Sequence, residues 1–161
     1  FLEDSDEKYD VMIIDLPDPI EGGPAYRLFT SEFYRTVYHH LTENGVIAVQ
    51  AGSASPTELL NLTAVHKTLE TVFPVVRVYS TYMIAFGSAW GFTLASKGLD
   101  PLELFPEDVD KRLKERCGTE LGHYDGITHR GMFSPPVYVR TAISCQTRII
   151  TDDNPLYLYS T

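Results

Sequence analysis

The run Ile13-Ile14-Asp15-Leu16-Pro17-Asp18-Pro19-Ile20-Glu21-Gly22-Gly23-Pro24-Ala25 limits the fold more than any other stretch of the chain. Residues Tyr9 to Asp15 (YDVMIID) read as a nearly all-apolar strand, the pattern of a parallel strand covered on both faces. Strand interiors reject Asp, Pro and Gly. The break at Asp15 therefore marks the carboxyl end of a buried strand, which is where open α/β sheets place their ligands. Two carboxylates, Asp15 and Asp18, stand on the turn that leaves it.

The rest of the chain fits an α/β reading. Thr30 is placed to cap a helix running to about Glu43, with Phe33, Val37 and Leu41 on one face and Tyr34 and Tyr38 alongside. Asn44-Gly45 would stop it, and Val46 to Ala51 reads as a second buried strand. Ser55-Pro56-Thr57-Glu58 has the form of a helix start, with a Ser cap, Pro at the first position and Glu closing a capping box. Leu62, Val65, Leu69 and Val72 follow at helical spacing until Phe73-Pro74. Val75 to Tyr82 and Phe92 to Ser96 are strands, joined by the loop Met83 to Ala89. The order β-α-β-α-β-β implies a parallel core from its helical crossovers, while the short last connection permits an antiparallel pair.

Beyond Gly98 the signal weakens. Pro106 to Arg116 reads as an exposed helix with Val109 and Leu113 inward. Gly118 to Ser134 reads as a loop holding His123, Tyr124, Asp125 and His129. Pro136 to Ser144 reads as a last helix, and Asp152-Asp153-Asn154-Pro155 as a turn before the apolar tail Leu156 to Tyr159. No linker or repeat interrupts this, so residues 1–161 are expected to form one domain, long enough to bury a core.

The formal charge of −9 disfavours nucleic acid and anionic membrane and favours cationic partners. No apolar run is long enough to span a bilayer. The acidic opening Phe1-Leu2-Glu3-Asp4 does not read as a signal peptide. Cys117 and Cys145 make no disulfide framework and have no metal-ligand spacing. A reduced, cytoplasmic protein is the expectation.

Three readings of Asp15 and Asp18 stand side by side. Either can cap a helix or close a turn. Together with Glu21 they can hold calcium or magnesium, although such ions want more oxygen ligands than this. They can also bind a cationic organic substrate. A primary alkylammonium has a pKa near that of lysine, about 10.4, and is no nucleophile at neutral pH. A carboxylate that takes its proton in a site shielded from water makes amine attack possible. Gln50 ends the second strand beside this turn. Trp90 is expected in the core, His39 and His40 on a solvent-facing helix side, and His66 and His129 in structural roles.

The residues resemble a known family. Asp15-Leu16-Pro17-Asp18-Pro19, Gly23-Pro24-Ala25, Leu28-Phe29 followed by Phe33-Tyr34, then Gln50, Trp90-Gly91-Phe92 with Ala95-Ser96, and Tyr124-Asp125 with His129, Phe133 and Pro136 look like the polyamine aminopropyltransferases, the spermidine synthases and their relatives. Ile20-Glu21-Gly22-Gly23 and the tail Ile150 to Leu156 look more like the thermospermine-synthase branch.

The resemblance implies the C-terminal half of a Rossmann-like, class I methyltransferase-like three-layer sheet. That half holds strands four, five, seven and six, parallel strands plus an antiparallel hairpin at one edge. It implies transfer of an aminopropyl group from the co-substrate decarboxylated S-adenosylmethionine to putrescine or spermidine, with no metal or other cofactor. Asp15 would be the catalytic proton acceptor and would bind substrate together with Asp18, Gln50 and Phe86. Phe86 stands where some relatives carry a substrate-binding Tyr. Pro24 would contact the nucleoside. The implied partners are polyamine and nucleoside small molecules, and the intact protein would be a homo-oligomer. The family's Gly-rich nucleoside loop and small N-terminal β-hairpin domain have no counterpart in these residues, so this chain is expected to be inactive alone. A strand Tyr9 to Asp15 at an open edge would then seek a partner. Two other functions remain open: an S-adenosylmethionine-dependent methyltransferase of the same fold, and a non-catalytic polyamine-binding or assembly module.

Overall fold

The computed structural model describes residues 2–118 and 121–158; Phe1 and Tyr159, which figure in the sequence reading, lie outside them. Strand β1 (Tyr9–Ile14) is followed by a 3-10 turn at Tyr26–Phe29, helix α1 (Ser31–His39), strand β2 (Leu41–Ser53) and helix α2 (Leu60–Leu69). Strands β3 (Val75–Met83) and β4 (Ser88–Ser96) form a hairpin, and helices α3 (Pro106–Cys117), α4 (Gly126–Met132) and α5 (Val137–Cys145) complete the chain. The sheet order is β1-β2-β4-β3. β1 pairs parallel to β2, and β4 runs antiparallel to both of its neighbours. This is the parallel pair with an antiparallel hairpin at one edge that the sequence predicts.

One sheet face carries the core. Ile47, Val49 and Ala51 of β2, Thr93 and Ala95 of β4 and Val76 and Val78 of β3 are buried on it. Helix α2 covers that face with Leu62, Val65 and Leu69, all fully buried. A Cβ on Gly91 would meet the Leu62 side chain at 2.6 Å, so the helix lies directly on the strand. Helix α1 flanks it through Tyr34 and Val37, and Tyr138 of α5 donates to the Ala54 carbonyl at 2.9 Å. Burying these side chains is worth about 1.5–3 kcal/mol each.

The other face is covered only in part. Tyr79 of β3 stacks on Phe92 of β4 at 5.1 Å, and Phe133, just past α4, closes on Tyr79. At the β1 end the face is bare: Val11 is 58% and Ile13 77% exposed. The expectation of a strand covered on both faces therefore fails for β1. Met12 and Ile14 point to the core, whereas Val11 and Ile13 have no cover among the described residues. The free edge of β1 is likewise unpaired among them.

Several local expectations change. Thr30 caps α1, accepting from Phe33 N at 3.3 Å, but the helix ends at His39 instead of Glu43. His40 is its C-cap and is not solvent-facing. Its ring nitrogens lie 2.8 Å from the Thr36 and Ser5 carbonyls, which anchor the helix end. Asn44-Gly45 falls instead in an irregularity of β2, where the register with β1 jumps between Tyr9 and Val11. Ser55 to Glu58 forms a turn closed by Glu58 N to Ser55 O at 3.0 Å, not a helix start, and α2 begins only at Leu60.

The expected loop Gly118 to Ser134 contains α4, capped by the Asp125 carboxylate, which accepts from Thr128 N at 2.7 Å. Two glycines weaken that helix in isolation, and tertiary contacts hold it. Gly126 N donates to Asp110 Oδ1 at 2.7 Å, and a Cβ there would sit 2.1 Å from the Pro106 carbonyl oxygen. His129 is buried between Tyr124 OH at 2.7 Å and the Pro101 carbonyl at 2.9 Å. Nε2–H therefore donates to the carbonyl while Nδ1 accepts from the phenol, the structural role expected of it. Among the described residues no helix is long and apolar enough to cross a membrane.

Candidate active site

The parallel register puts the carboxyl ends of β1 and β2 side by side, with Ile14 opposite Val49. Asp15 and Gln50 are the next residue on each strand, so the turn after β1 and the end of β2 share one rim of the sheet. β4 reaches the same rim, with Trp90 opposite Ser53. Leu158 also borders it, and its N donates to the Pro19 carbonyl at 2.9 Å.

A cavity of about 210 Å3 opens on this rim, lined by Asp18, Ser53, Thr57, Glu58, Asn61 and Trp90 together with Leu60 and Leu158. Its buried polar atoms lack partners. Asp18 Oδ1, both amide atoms of Asn61 and Trp90 Nε1 have no hydrogen bond among the described residues. Buried polar groups are almost always paired, and such a group left open costs about 1–3 kcal/mol. Four of them around one cavity mark a surface arranged for a ligand or ordered water. No cationic side chain lines it among the described residues.

Gly52 lets these groups meet. Its φ of +84° is left-handed, and a Cβ there would lie 3.1 Å from Asn61 Nδ2 and 3.4 Å from Asp18 Oδ1. Gln50 Oε1 accepts from Gly52 N at 2.8 Å and fixes this bend. Burial holds the Asp18 carboxyl above its ordinary pKa; the adjacent Gln50 amide opposes the shift and the Glu58 charge adds to it. Asp18 is thus a carboxylate whose charged form lacks a counter-ion.

The five residues singled out in the sequence are not all in one place. Asp18 lines the cavity and Gln50 supports it from the strand behind. Asp15 is exposed on the rim, three residues before Asp18. Phe86 lies in a 3-10 turn of the β3–β4 hairpin and reaches the cavity only through Trp90, with ring centroids 4.4 Å apart. Pro24 is exposed farther along the β1–α1 connection and outside the cavity wall. Trp90, expected in the core, instead forms part of that wall. Sequence reasoning missed Asn61. The signal was available: Asn61 sits four residues before the buried Val65, on the core side of α2, where a polar side chain demands a partner. Among the described residues no cluster of three or more His, Cys, Asp or Glu side chains is arranged to hold a metal ion.

Comparison with known proteins decides the family. The model described as the spermine/spermidine synthase domain matches residues 1–103. The chain belongs to this family. Curated relatives include polyamine aminopropyltransferase 2 of Hyperthermus butylicus, 42% identical over 98% of this chain and 52% of that protein. A polyamine aminopropyltransferase of a Synechococcus strain is 41% identical over 96% of this chain and 51% of its own length. The chain thus spans about half the length of these curated relatives. Among solved structures, the spermidine synthase from Thermotoga maritima aligns with a TM-score of 0.71 at 29% identity, over 90% of this chain and 47% of that one. A spermidine synthase in complex with the transition state analogue AdoDATO aligns at 0.69 and 28% identity, over 90% and 46%. The fold is therefore the methyltransferase-like fold of these spermidine synthases.

Proposed function

We propose that this chain is the acceptor-amine side of a polyamine aminopropyltransferase, the C-terminal part of its catalytic domain. The reaction moves an aminopropyl group from decarboxylated S-adenosylmethionine to putrescine or spermidine. Asp18 binds the ammonium group of the acceptor, and Asp15 takes the proton that must leave before attack. The freed nitrogen then attacks the carbon bonded to the sulfonium. A C–N bond forms, the C–S bond breaks, and the electron pair leaves with methylthioadenosine. The sulfonium is already a good leaving group, so the protein's tasks are alignment and deprotonation. Gln50 orients Asp18, Phe86 backs the Trp90 ring, which lines the cavity and offers a π-face to the cation, and Pro24 borders the nucleoside.

The observation that carries this reading is the unpartnered Oδ1 of Asp18 in a cavity that no cationic side chain lines among the described residues, on the rim where Asp15 also stands. The names of the relatives support the reaction class. Because the chain spans about half of those relatives, we infer that these 161 residues bind the amine and do not turn over by themselves. Calorimetry with spermidine, methylthioadenosine and S-adenosylhomocysteine tests the reading. Spermidine binding that is lost in Asp18→Asn supports it. Preferential binding of S-adenosylhomocysteine indicates a methyltransferase. Polyamine binding indifferent to Asp15→Asn and Asp18→Asn indicates a non-catalytic polyamine module.

A further inference from the structure

The turn that carries Asp18 is held from outside itself. Residues 16–19 belong to no helix or strand. Pro17 and Pro19 have no N–H to donate. Among the described residues, the one backbone hydrogen bond of this stretch is made by the Pro19 carbonyl, which accepts from Leu158 N at 2.9 Å. Pro19 is the residue next to Asp18, and Leu158 lines the same cavity as Asp18. The residues before Leu158 are firmly seated. Leu156 is fully buried in the core. Arg148, which follows α5, donates from Nη2 to the Pro155 carbonyl at 2.7 Å. The Tyr157 ring lies against Tyr26 with centroids 5.4 Å apart, near the far end of the same β1–α1 connection. Filling the core accounts for Leu156. It does not account for the Tyr157 ring and the Leu158 N–H, whose partners both lie on that connection.

We propose that residues 155–158 are a strap that holds the Asp18 turn in place, which makes Tyr157 and Leu158 positioning residues for amine binding. The second half of this rests on the reading that Asp18 binds the ammonium group. A segment with so few hydrogen bonds of its own opens easily. The strap supplies what the turn lacks: a donor at Pro19 and an aromatic contact at Tyr26, both tied to the core through Leu156 and to α5 through Arg148. With the strap seated, the Asp18 carboxylate stays beside Gly52, where a Cβ would lie 3.4 Å from its Oδ1. With the strap released, nothing else in the backbone of residues 16–19 keeps it there among the described residues.

The test combines nuclear magnetic resonance of the isotope-labelled 161-residue chain with calorimetry against spermidine. Leu158→Pro deletes the donor to Pro19, Tyr157→Ala deletes the ring, and Tyr157→Phe keeps it. Tyr124→Phe is the control for stability: it removes the phenol from His129, outside this cavity, and should lower the melting temperature. In Leu158→Pro and Tyr157→Ala the backbone amides of Asp18 and Gly23 are expected to shift or broaden without amine present. Spermidine should then bind about tenfold more weakly, an ordinary size for coupling between two places in one protein. Tyr157→Phe and Tyr124→Phe should both bind within about twofold of the wild type. Asp18 and Gly23 amides that keep their wild-type positions in both strap variants overturn the strap. Amine affinity that survives moved resonances, or that falls equally in Tyr124→Phe, overturns its positioning role. If the wild type binds no spermidine, the Asp18 reading fails and the positioning role with it, while the resonances alone still decide whether the strap holds the turn.

Discussion

Asp18→Asn should make the chain more stable and less able to bind amine. The carboxylate is half-buried, its Oδ1 has no partner among the described residues, and Glu58 adds repulsion. An unsatisfied buried acceptor costs about 1–3 kcal/mol. Asparagine keeps a polar group there but removes the buried charge and its repulsion from Glu58, and partial exposure puts the effect at the low end, so the variant should gain about 1 kcal/mol at pH 7, or about 2–4 °C in Tm for a chain of this size. A hydrogen bond to a charged group contributes about 1.5–3 kcal/mol, so spermidine affinity should fall roughly 10- to 150-fold.

The pH dependence has a fixed sign. A carboxyl whose folded pKa is raised binds its proton more readily in the folded state. Its stabilising contribution is therefore full below the unfolded pKa and is lost as pH rises through the folded one. Wild type and Asp18→Asn should converge in acid and separate toward neutrality, while wild-type amine affinity falls as pH drops through the raised pKa. Denaturant melts and calorimetry at several pH values measure both. Refutation would be a variant less stable by 1 kcal/mol or more, or one whose spermidine affinity stays within twofold of wild type.

Three further outcomes follow from other parts of the structure. Gly52→Ala forces a side chain into a left-handed backbone, at a cost of about 1–2 kcal/mol, and presses on Asn61 and Asp18; chemical melts should register the loss, with weaker amine binding beside it. His66 is buried, and burial holds its pKa below the ordinary value while Glu70, 3.9 Å from Nδ1, opposes this. Its contribution to stability is thus present above about pH 6.5 and lost as pH falls below it, and His66→Gln should flatten the melting-temperature profile there. Ile13→Lys places a charge on the bare face of β1, where the wild-type residue is 77% exposed. Sedimentation at high concentration should show self-association in the wild type and less in the variant, and a wild type that stays monomeric would contradict the open-face reading.

The strands and the rim were legible because one-sided chemistry wrote them. The apolar run ending at Asp15 could only be a strand end, and the apolar spacing of Leu62, Val65 and Leu69 set the buried face of α2. Signals that depend on distant contacts were not legible. Ser55-Pro56-Thr57-Glu58 satisfies every local rule for a helix start and is a turn, which leaves Glu58 free to line the cavity. Helix α4 contradicts its own glycines because Asp110 and the Pro101 carbonyl, remote in sequence, hold Gly126 and His129. Trp90 looked like core because an indole before a strand mostly packs, yet its position opposite Ser53 puts it on the cavity wall. Asn61 carried a signal, a polar residue on the apolar face of α2, but only its unpaired amide in the folded chain ties it to the cavity.

The most direct measurement is a titration of isotope-labelled chain with putrescine, followed by nuclear magnetic resonance. The backbone amides of Asp18 and Gly52, the Asn61 side-chain amide and the Trp90 indole N–H should shift together and saturate, and the shifts should vanish in Asp18→Asn. Saturating amine that leaves these resonances in place, or that moves only resonances of α3, would contradict an amine site on this rim.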